Sequence, residues 1–528
     1  MTLAVDKTSA KLAPMNERAR GPWLVLGLVL AWRLALLVFA CLPIPANDAF
    51  FFDGAIVNRL LHGQYFNPSL AGVFSISGRQ VFAAYPPLYQ AALLLWMSVC
   101  GTSVLSAMWF HFALFSVASL LVVILIRVAF PASLRSDIAV LFLLGVTFND
   151  RPEDLAHVFG LGALLFTALQ VGGKVRASAA RMGVAATLLC ALCTSPVAGA
   201  FYFGVAFLAR VAAWWLARQR FLFAEVAIVA ALFAGITLFI AQAYPLLWQG
   251  FLENARQTPV QATGFRIPTA GEAVKLARNA PVFLLAAACL PLFLTQRKGL
   301  LAGAGTDVAR LSLTMGIAAM GALLLAASMV LLSPNYVMYL LFAQILLAAG
   351  LLAMAGRLAP WVHRLVCAAL ACCLALVAVR AVGMSTWGVA CAFDVSHRCA
   401  HEILRDELYP LAQTNRRAIV SSAFLYEAAR LGVRQAIHSD WLRDHRVEAP
   451  DADVQALHRL RPAKLVLTQF DFHRSYASTI EQLRQQPELV AVRVRDTAVV
   501  PTPDSIPSFR RVVQHISWAP VIVTLSWR

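Results

Sequence analysis

Charge is what this sequence has least of. Only 13% of its 528 residues are Asp, Glu, Lys or Arg, whereas 60% are apolar, and the mean hydropathy is +0.70. Soluble domains carry about 25% charged and roughly 45 to 50% apolar residues, so a water-soluble protein is excluded. Acids are the scarcer sign, 27 against 44 basic residues, leaving a net charge of +17. That excess does not call for a nucleic-acid partner, because most of it sits in short loops between apolar runs, where membrane topology accounts for it. Metal-ligand spacing is missing too. Eight of the ten cysteines (Cys41, Cys100, Cys190, Cys193, Cys289, Cys367, Cys372, Cys373) lie in or beside apolar runs, where a thiol packs as a small hydrophobe. No Cys/His spacing describes a zinc site, so no cofactor is implied and no metal is indicated.

The charge that is present is unevenly spread. Residues 1–382 hold 26 Lys/Arg and 12 Asp/Glu, while residues 383–528 hold 18 and 15. The first part reads as membrane and the last as a water-facing domain. Residues 1–20 are polar and basic, and the apolar run 22–42 is about 20 residues, long enough to stay as a first membrane helix. Runs of spanning character then recur at 103–126, 137–149, 155–171, 183–195, 198–217, 221–243, 279–295, 311–332, 336–355 and 361–381. Pro86–Cys100 is shorter and opens with two prolines. If it does not span, the basic residues from Lys7 to Arg357 gather on one side; if it does, that asymmetry is lost.

The expected architecture is therefore a polytopic α-helical membrane protein with about eleven transmembrane helices and a C-terminal extracytoplasmic α/β domain. Residues 1–21 form a cytoplasmic segment, 22–382 the transmembrane domain with its first external loop at 43–102, and 383–528 the outer domain. In that outer domain strand-like runs (418–422, 435–439, 464–469, 489–495) alternate with helical patterns, which predicts a partly parallel sheet. It has no glycine-rich phosphate loop and no nucleophile elbow, hence no chemistry of its own.

This topology gathers the rare acids on the outer side: Asp48, Asp53, Asp150, Glu153, Asp154, Glu253 and Glu272. Asp48 opens an amphipathic helix that ends near Gly63, either as a capping carboxylate or as a base for a hydroxyl acceptor at the membrane surface. Asp53 lies about 140° further round that helix, so the two are not expected to form a close pair.

Asp48, Phe52, Leu60-Leu61-His62-Gly63, then Tyr85-Pro86-Pro87-Leu88-Tyr89 and an apolar helix ending at Gly101 resemble the first loop of the GT-C superfamily of integral membrane glycosyltransferases. The protein O-mannosyltransferase and lipid A aminoarabinose transferase branch is the nearest in shape. Ala49 and Tyr85 stand where that branch has Glu and His or Lys. The resemblance implies that Asp48 is the catalytic carboxylate and that the donor is a sugar on polyprenyl phosphate. It further implies an extracytoplasmic lipid, glycan or protein acceptor, inversion at the anomeric carbon, and residence in a bacterial inner membrane among its lipids.

The second loop, Asn149-Asp150-Arg151-Pro152-Glu153-Asp154, offers Asp150 as a second acid and Arg151 and Glu153 as substrate contacts, or else simple helix capping. His157 is expected to be a packed polar residue. In the third loop Arg256 and Arg266 are the best cations for a lipid phosphate, or else part of a solvated loop, and Tyr85 in the first loop is a further contact. Arg33, midway in the first span, needs either a structural partner or a substrate. Cys391 and Cys399 are the two cysteines in a polar stretch and are expected to form a disulfide outside the membrane. The rival class is a transporter or flippase, weakened by the few charges in the spans and the acid-rich outer loops.

Overall fold

The computed structural model describes residues 21–39, 49–63, 88–130, 136–146, 151–217, 223–243, 280–296, 306–332, 341–393, 400–439, 452–497 and 520–528, with isolated positions at 245, 274, 277 and 300. Apolar runs become helices because a bilayer offers backbone groups no partner outside their own segment. In chain order the membrane part contains α1 (Gly21–Phe39), α2 (Ala49–His62), α3 (Leu88–Cys100), α4 (Val104–Ala129) and α5 (Ser136–Leu141, continued by a 3-10 turn over Phe142–Gly145). It continues with α6 (Pro152–Val171), α7 (Ala177–Thr194), α8 (Pro196–Ala217), α9 (Phe223–Ala243), α10 (Pro281–Thr295), α11 (Asp307–Leu332), α12 (Leu341–Ala355) and α13 (Pro360–Phe393).

Five of these, α1, α4, α6, α8 and α13, are long and apolar enough among the described residues to cross a membrane. The other expected spans, except 137–149, coincide with shorter apolar helices, so length and composition alone do not reach eleven. Pro86–Cys100 yields only the 13 residues of α3, about 20 Å of helix against roughly 30 Å of hydrocarbon.

The expected span 137–149 is not one continuous helix. α5 stops after six residues and its 3-10 continuation ends at Gly145. The side chain that takes up the resulting open carbonyls is Arg33, 1% exposed in α1, which donates to the carbonyl of Leu144 at 3.4 Å and to that of Val146. Its guanidinium also lies over the rings of Trp32 and Phe115, at 4.5 and 5.5 Å. A structural partner for Arg33 is thus found. A second departure is α13, which runs unbroken to Phe393, about 50 Å, through the boundary expected at 383. Cys391 therefore lies on a helix backbone rather than in a polar loop.

The outer domain follows as α14 (Ala400–Thr414), β1 (Ala418–Val420), α15 (Ser422–Arg430), β2 (Ala436–His438), α16 (Ala452–Leu460), β3 (Lys464–Thr468), α17 (Ala477–Leu483), β4 (Leu489–Asp496) and β5 (Pro520–Trp527). The sheet order is β2-β1-β3-β5-β4, with β1 parallel to β2 and β3, and β5 antiparallel to β3 and β4. The helical returns between β1, β2 and β3 make that part parallel, as the alternating sequence predicts. β5 is an addition to that expectation: its Val-Ile-Val-Thr-Leu run inserts between β3 and β4, largely buried.

A hydrophobic cluster joins this domain to the membrane part. Ile56 and Val57 of α2, Leu93 of α3 and Phe110 of α4 pack with Phe424 and Leu425 of α15. His62 Nε2 donates to the Arg430 carbonyl at 3.3 Å, and Gly432, in the left-handed region at φ +78°, leaves the room that His62 occupies. The first-loop helix and the outer domain consequently lie on one face of the bundle.

Candidate active site

α2 reads Ala-Phe-Phe-Phe-Asp-Gly-Ala-Ile-Val-Asn-Arg-Leu-Leu-His and ends where Gly63, at φ +68°, donates its N–H to the Arg59 carbonyl at 3.0 Å. Its buried stripe contains Asp53, Ile56 and Val57, at the i, i+3, i+4 spacing that faces one side. Asp53 is thereby carried into the cluster with no exposed surface. A buried carboxylate needs partners, and three helices bring them.

Tyr89 of α3 donates its hydroxyl to Asp53 Oδ1 at 2.8 Å. The Tyr89 hydroxyl oxygen also lies 3.1 Å from Nε2 of His111 on α4, and Nδ1 of His111 lies 2.9 Å from Oδ2 of Asp154 on α6. His111 Nε2 is also 3.8 Å from Asp53 Oδ2. Burial pushes the Asp53 carboxyl above its usual range and the Asp154 charge adds to that, while the contacts with His111 and Tyr89 pull it back. A continuous carboxyl–phenol–imidazole–carboxyl chain thus runs from the first-loop helix to the helix that follows the second loop.

α6 starts well for local reasons. Pro152 needs no N–H in the first turn, and Glu153 and Asp154 sit where the helix dipole favours anions. Glu153 is fully buried; its Oε2 accepts from Arg151 Nε at 3.1 Å and its Oε1 from Ser195 Oγ at 3.2 Å. One turn on, His157 is buried against Tyr202, with Nδ1 and the hydroxyl 2.8 Å apart, the packed polar role expected of it. No cluster of three or more His, Cys, Asp or Glu with metal-binding geometry occurs among the described residues.

Between α2 and the ends of α14 and α15 lies a groove of about 440 Å³, lined by Asn58, His62, Gln413, Asn415 and Arg434. Asn415, like Gly432, sits in the left-handed region, at φ +50°, so two tight helix ends shape this wall.

No protein-family model and no curated protein matches the sequence. Solved structures do resemble the fold. ArnT from Cupriavidus metallidurans bound to undecaprenyl phosphate superposes with a TM-score of 0.49 at 13% identity, over 94% of this chain and 98% of that one. The apo oligosaccharyltransferase of Archaeoglobus fulgidus gives 0.48 at 12% identity, over 88% and 71%. The archaeal oligosaccharyltransferase AglB from the same organism, in complex with an inhibitory peptide and a dolichol-phosphate, gives 0.47 at 13%, over 87% and 70%.

Of the residues singled out in the sequence, Arg151 and Glu153 are described and paired with each other. Asp48, Asp150, Tyr85, Arg256, Arg266 and Cys399 lie outside the described residues, as does the side chain of Cys391. Asp53, Tyr89, His111 and Asp154 form a site that sequence reasoning did not assemble. The signal for Asp53 was present, since it falls on the apolar stripe of α2. His111 was legible only as a lone polar residue in an apolar run.

Proposed function

We propose that this protein is a GT-C-type glycosyltransferase that moves a sugar from a polyprenyl-phosphate donor to an extracytoplasmic lipid, glycan or protein acceptor, with inversion. The observation that carries the reading is the joining of α2 to α6 through Asp53, Tyr89, His111 and Asp154. These are the helices that Asp48 and Asp150 precede in the sequence by one and two residues. In this reading the acceptor hydroxyl attacks the anomeric carbon, the bond to phosphate oxygen breaks, and polyprenyl phosphate departs. Asp48 takes the hydroxyl proton and Asp150 acts as a second acid near it. Arg151, Glu153 and Tyr85 contact substrate, while Arg256 and Arg266 offset the charge of the departing phosphate. The amide, imidazole and guanidinium groups lining the groove between α2 and the outer domain suit a hydroxyl-rich acceptor.

The test is incubation of the purified protein, in lipid, with a panel of polyprenyl-phosphate sugars and detection of released polyprenyl phosphate. Release by the wild type, and its loss in a folded Asp48→Asn variant, is the expected result. Full turnover in Asp48→Asn would leave Asp48 as a cap only, and transport of a lipid-linked substrate without bond cleavage would favour a flippase.

A further inference from the structure

Three contacts link Asp53 to Tyr89, Tyr89 to His111, and His111 to Asp154, at 2.8, 3.1 and 2.9 Å. Each needs one hydrogen. The Tyr89 hydroxyl supplies one and a neutral imidazole supplies a second, since it carries a single N–H. The third must be an additional, ionisable proton, held on the imidazole or on one of the carboxyl groups. Without it one of the three contacts sets lone pair against lone pair in a site closed to water, where an unmade hydrogen bond is most costly.

We propose that His111 acts as a positioning residue: one proton stored between Asp53, Tyr89, His111 and Asp154 locks the first-loop helix α2 to the start of α6, and the lock opens when that proton is lost. The geometry supports this in two further ways. Asp53, Tyr89 and His111 are each no more than 1% exposed and Asp154 is 8% exposed, so water has little access to a broken contact. The four residues come from four helices, α2, α3, α4 and α6, so the chain ties four separate elements together. Other titratable groups packed around it have partners of their own. Tyr426 of α15 donates to the Thr102 carbonyl, Glu153 pairs with Arg151 and Ser195, and His157 contacts Tyr202.

The catalytic consequence rests on the glycosyl-transfer reading above. Carboxylates carried by two loops cooperate only while the supporting elements keep their spacing, and a misplacement of about 1 Å can cost on the order of 100-fold in rate. An opened lock therefore lowers kcat and leaves KM nearly unchanged.

The experiment records two quantities from about pH 5 to about pH 10 for the wild type, His111→Gln and Tyr89→Phe: the thermal midpoint, and polyprenyl phosphate release from a polyprenyl-phosphate sugar. The wild type is expected to lose both at the alkaline end with a one-proton midpoint. His111→Gln has no imidazole to titrate, so its kcat is expected to fall about tenfold or more at the wild-type optimum, with its alkaline limb gone. Tyr89→Phe leaves a single contact, His111 to Asp154, which one imidazole N–H satisfies, so its alkaline limb is also expected to vanish. This second variant carries the test if His111→Gln does not fold. A wild-type alkaline limb retained by the folded variants in both measurements overturns the lock. A thermal limb that vanishes as expected, in a protein releasing no polyprenyl phosphate from any donor, upholds the lock and sinks the donor reading instead.

Discussion

The hydroxyl of Tyr426 in the outer domain donates to the backbone carbonyl of Thr102, 2.9 Å away and 324 positions earlier in the chain. The same hydroxyl lies 3.3 Å from the carbonyl of Ser103, whose side chain caps α4 by accepting from Ser106 N–H at 3.1 Å. One phenol thus ties α15 to the turn from which α4 departs. Burial, together with the charges of Asp53 and Glu427, pushes Tyr426 well above the usual phenol range, so it remains a donor through neutral pH. Tyr426→Phe should keep the packing, lose the donor, and cost about 1–2 kcal/mol through the Thr102 carbonyl left unpaired. Amide exchange read separately for α15 and for the middle of α4 checks this: faster exchange confined to α15 and its neighbours is expected. Unchanged exchange in α15 would show that the docking does not depend on the phenol.

Asp53 gives the protein a pH dependence whose sign can be worked out. Its folded-state value lies above the ordinary 3.8, mainly because burial disfavours the charged form. Between those two values the folded protein binds more protons than the unfolded chain, so stability falls as pH rises through that window. Asp53→Asn keeps the shape and an oxygen for the Tyr89 hydroxyl but cannot ionise. Its thermal midpoint should therefore fall less than that of the wild type as pH rises above the ordinary carboxylate value. Identical pH slopes in the two proteins would remove Asp53 as the source.

How far this fold was legible in the sequence depended on what each residue signalled by itself. Apolar runs marked the helices of the membrane part because the bilayer demands such runs, and alternation of strand and helix patterns marked the parallel half of the outer sheet. β5 was not marked, since it lies beyond a long connection and completes the sheet out of sequence order, between β3 and β4. The break in α5 was hidden for a related reason. Residues 137–149 are apolar enough for a span, and the partners for a helix that ends early arrive with Arg33 from α1. The buried chain was harder still, because Asp53, Tyr89, His111 and Asp154 each look ordinary where they stand and gain meaning only when four helices converge.

Arg33 supplies a third expectation. Its guanidinium satisfies carbonyls at the open end of the 3-10 turn, in a region where water is not at hand to replace it. Arg33→Leu fits the apolar surroundings yet leaves those carbonyls without this donor, and should lower stability by about 2–4 kcal/mol. Arg33→Lys keeps a donor but not the planar fork or the stacking over Trp32 and Phe115, so it should recover only part of that loss. Thermal midpoints of the purified variants in lipid check the order wild type, Lys, Leu. A leucine variant as stable as the wild type would show that the carbonyls find partners without Arg33.

The last prediction concerns sidedness. α2 and α15 pack face to face, so the first loop and the outer domain share one side of the membrane, and the number of crossings between them must be even. α1, which precedes α2, adds one crossing, so the N-terminus and the outer domain belong on opposite sides. The excess of Lys7, Lys11, Arg18 and Arg20 ahead of α1 predicts a cytoplasmic N-terminus. A reporter that is active only outside the cytoplasm should accordingly work when fused after Arg528 and fail when fused before α1. In that oxidising compartment Cys391 and Cys399 are expected to be paired, although eight residues apart they must still reach the Cα separation of roughly 4.4 to 6.8 Å that a disulfide needs. Labelling of intact cells with an impermeant thiol reagent should mark these two cysteines only after reduction. Labelling without reductant would defeat the bridge while leaving the sidedness intact, whereas a reporter active only on the cytoplasmic side would mean an inverted orientation, since the packing of α2 on α15 keeps the crossing count odd, and would move the proposed site to the cytoplasmic face.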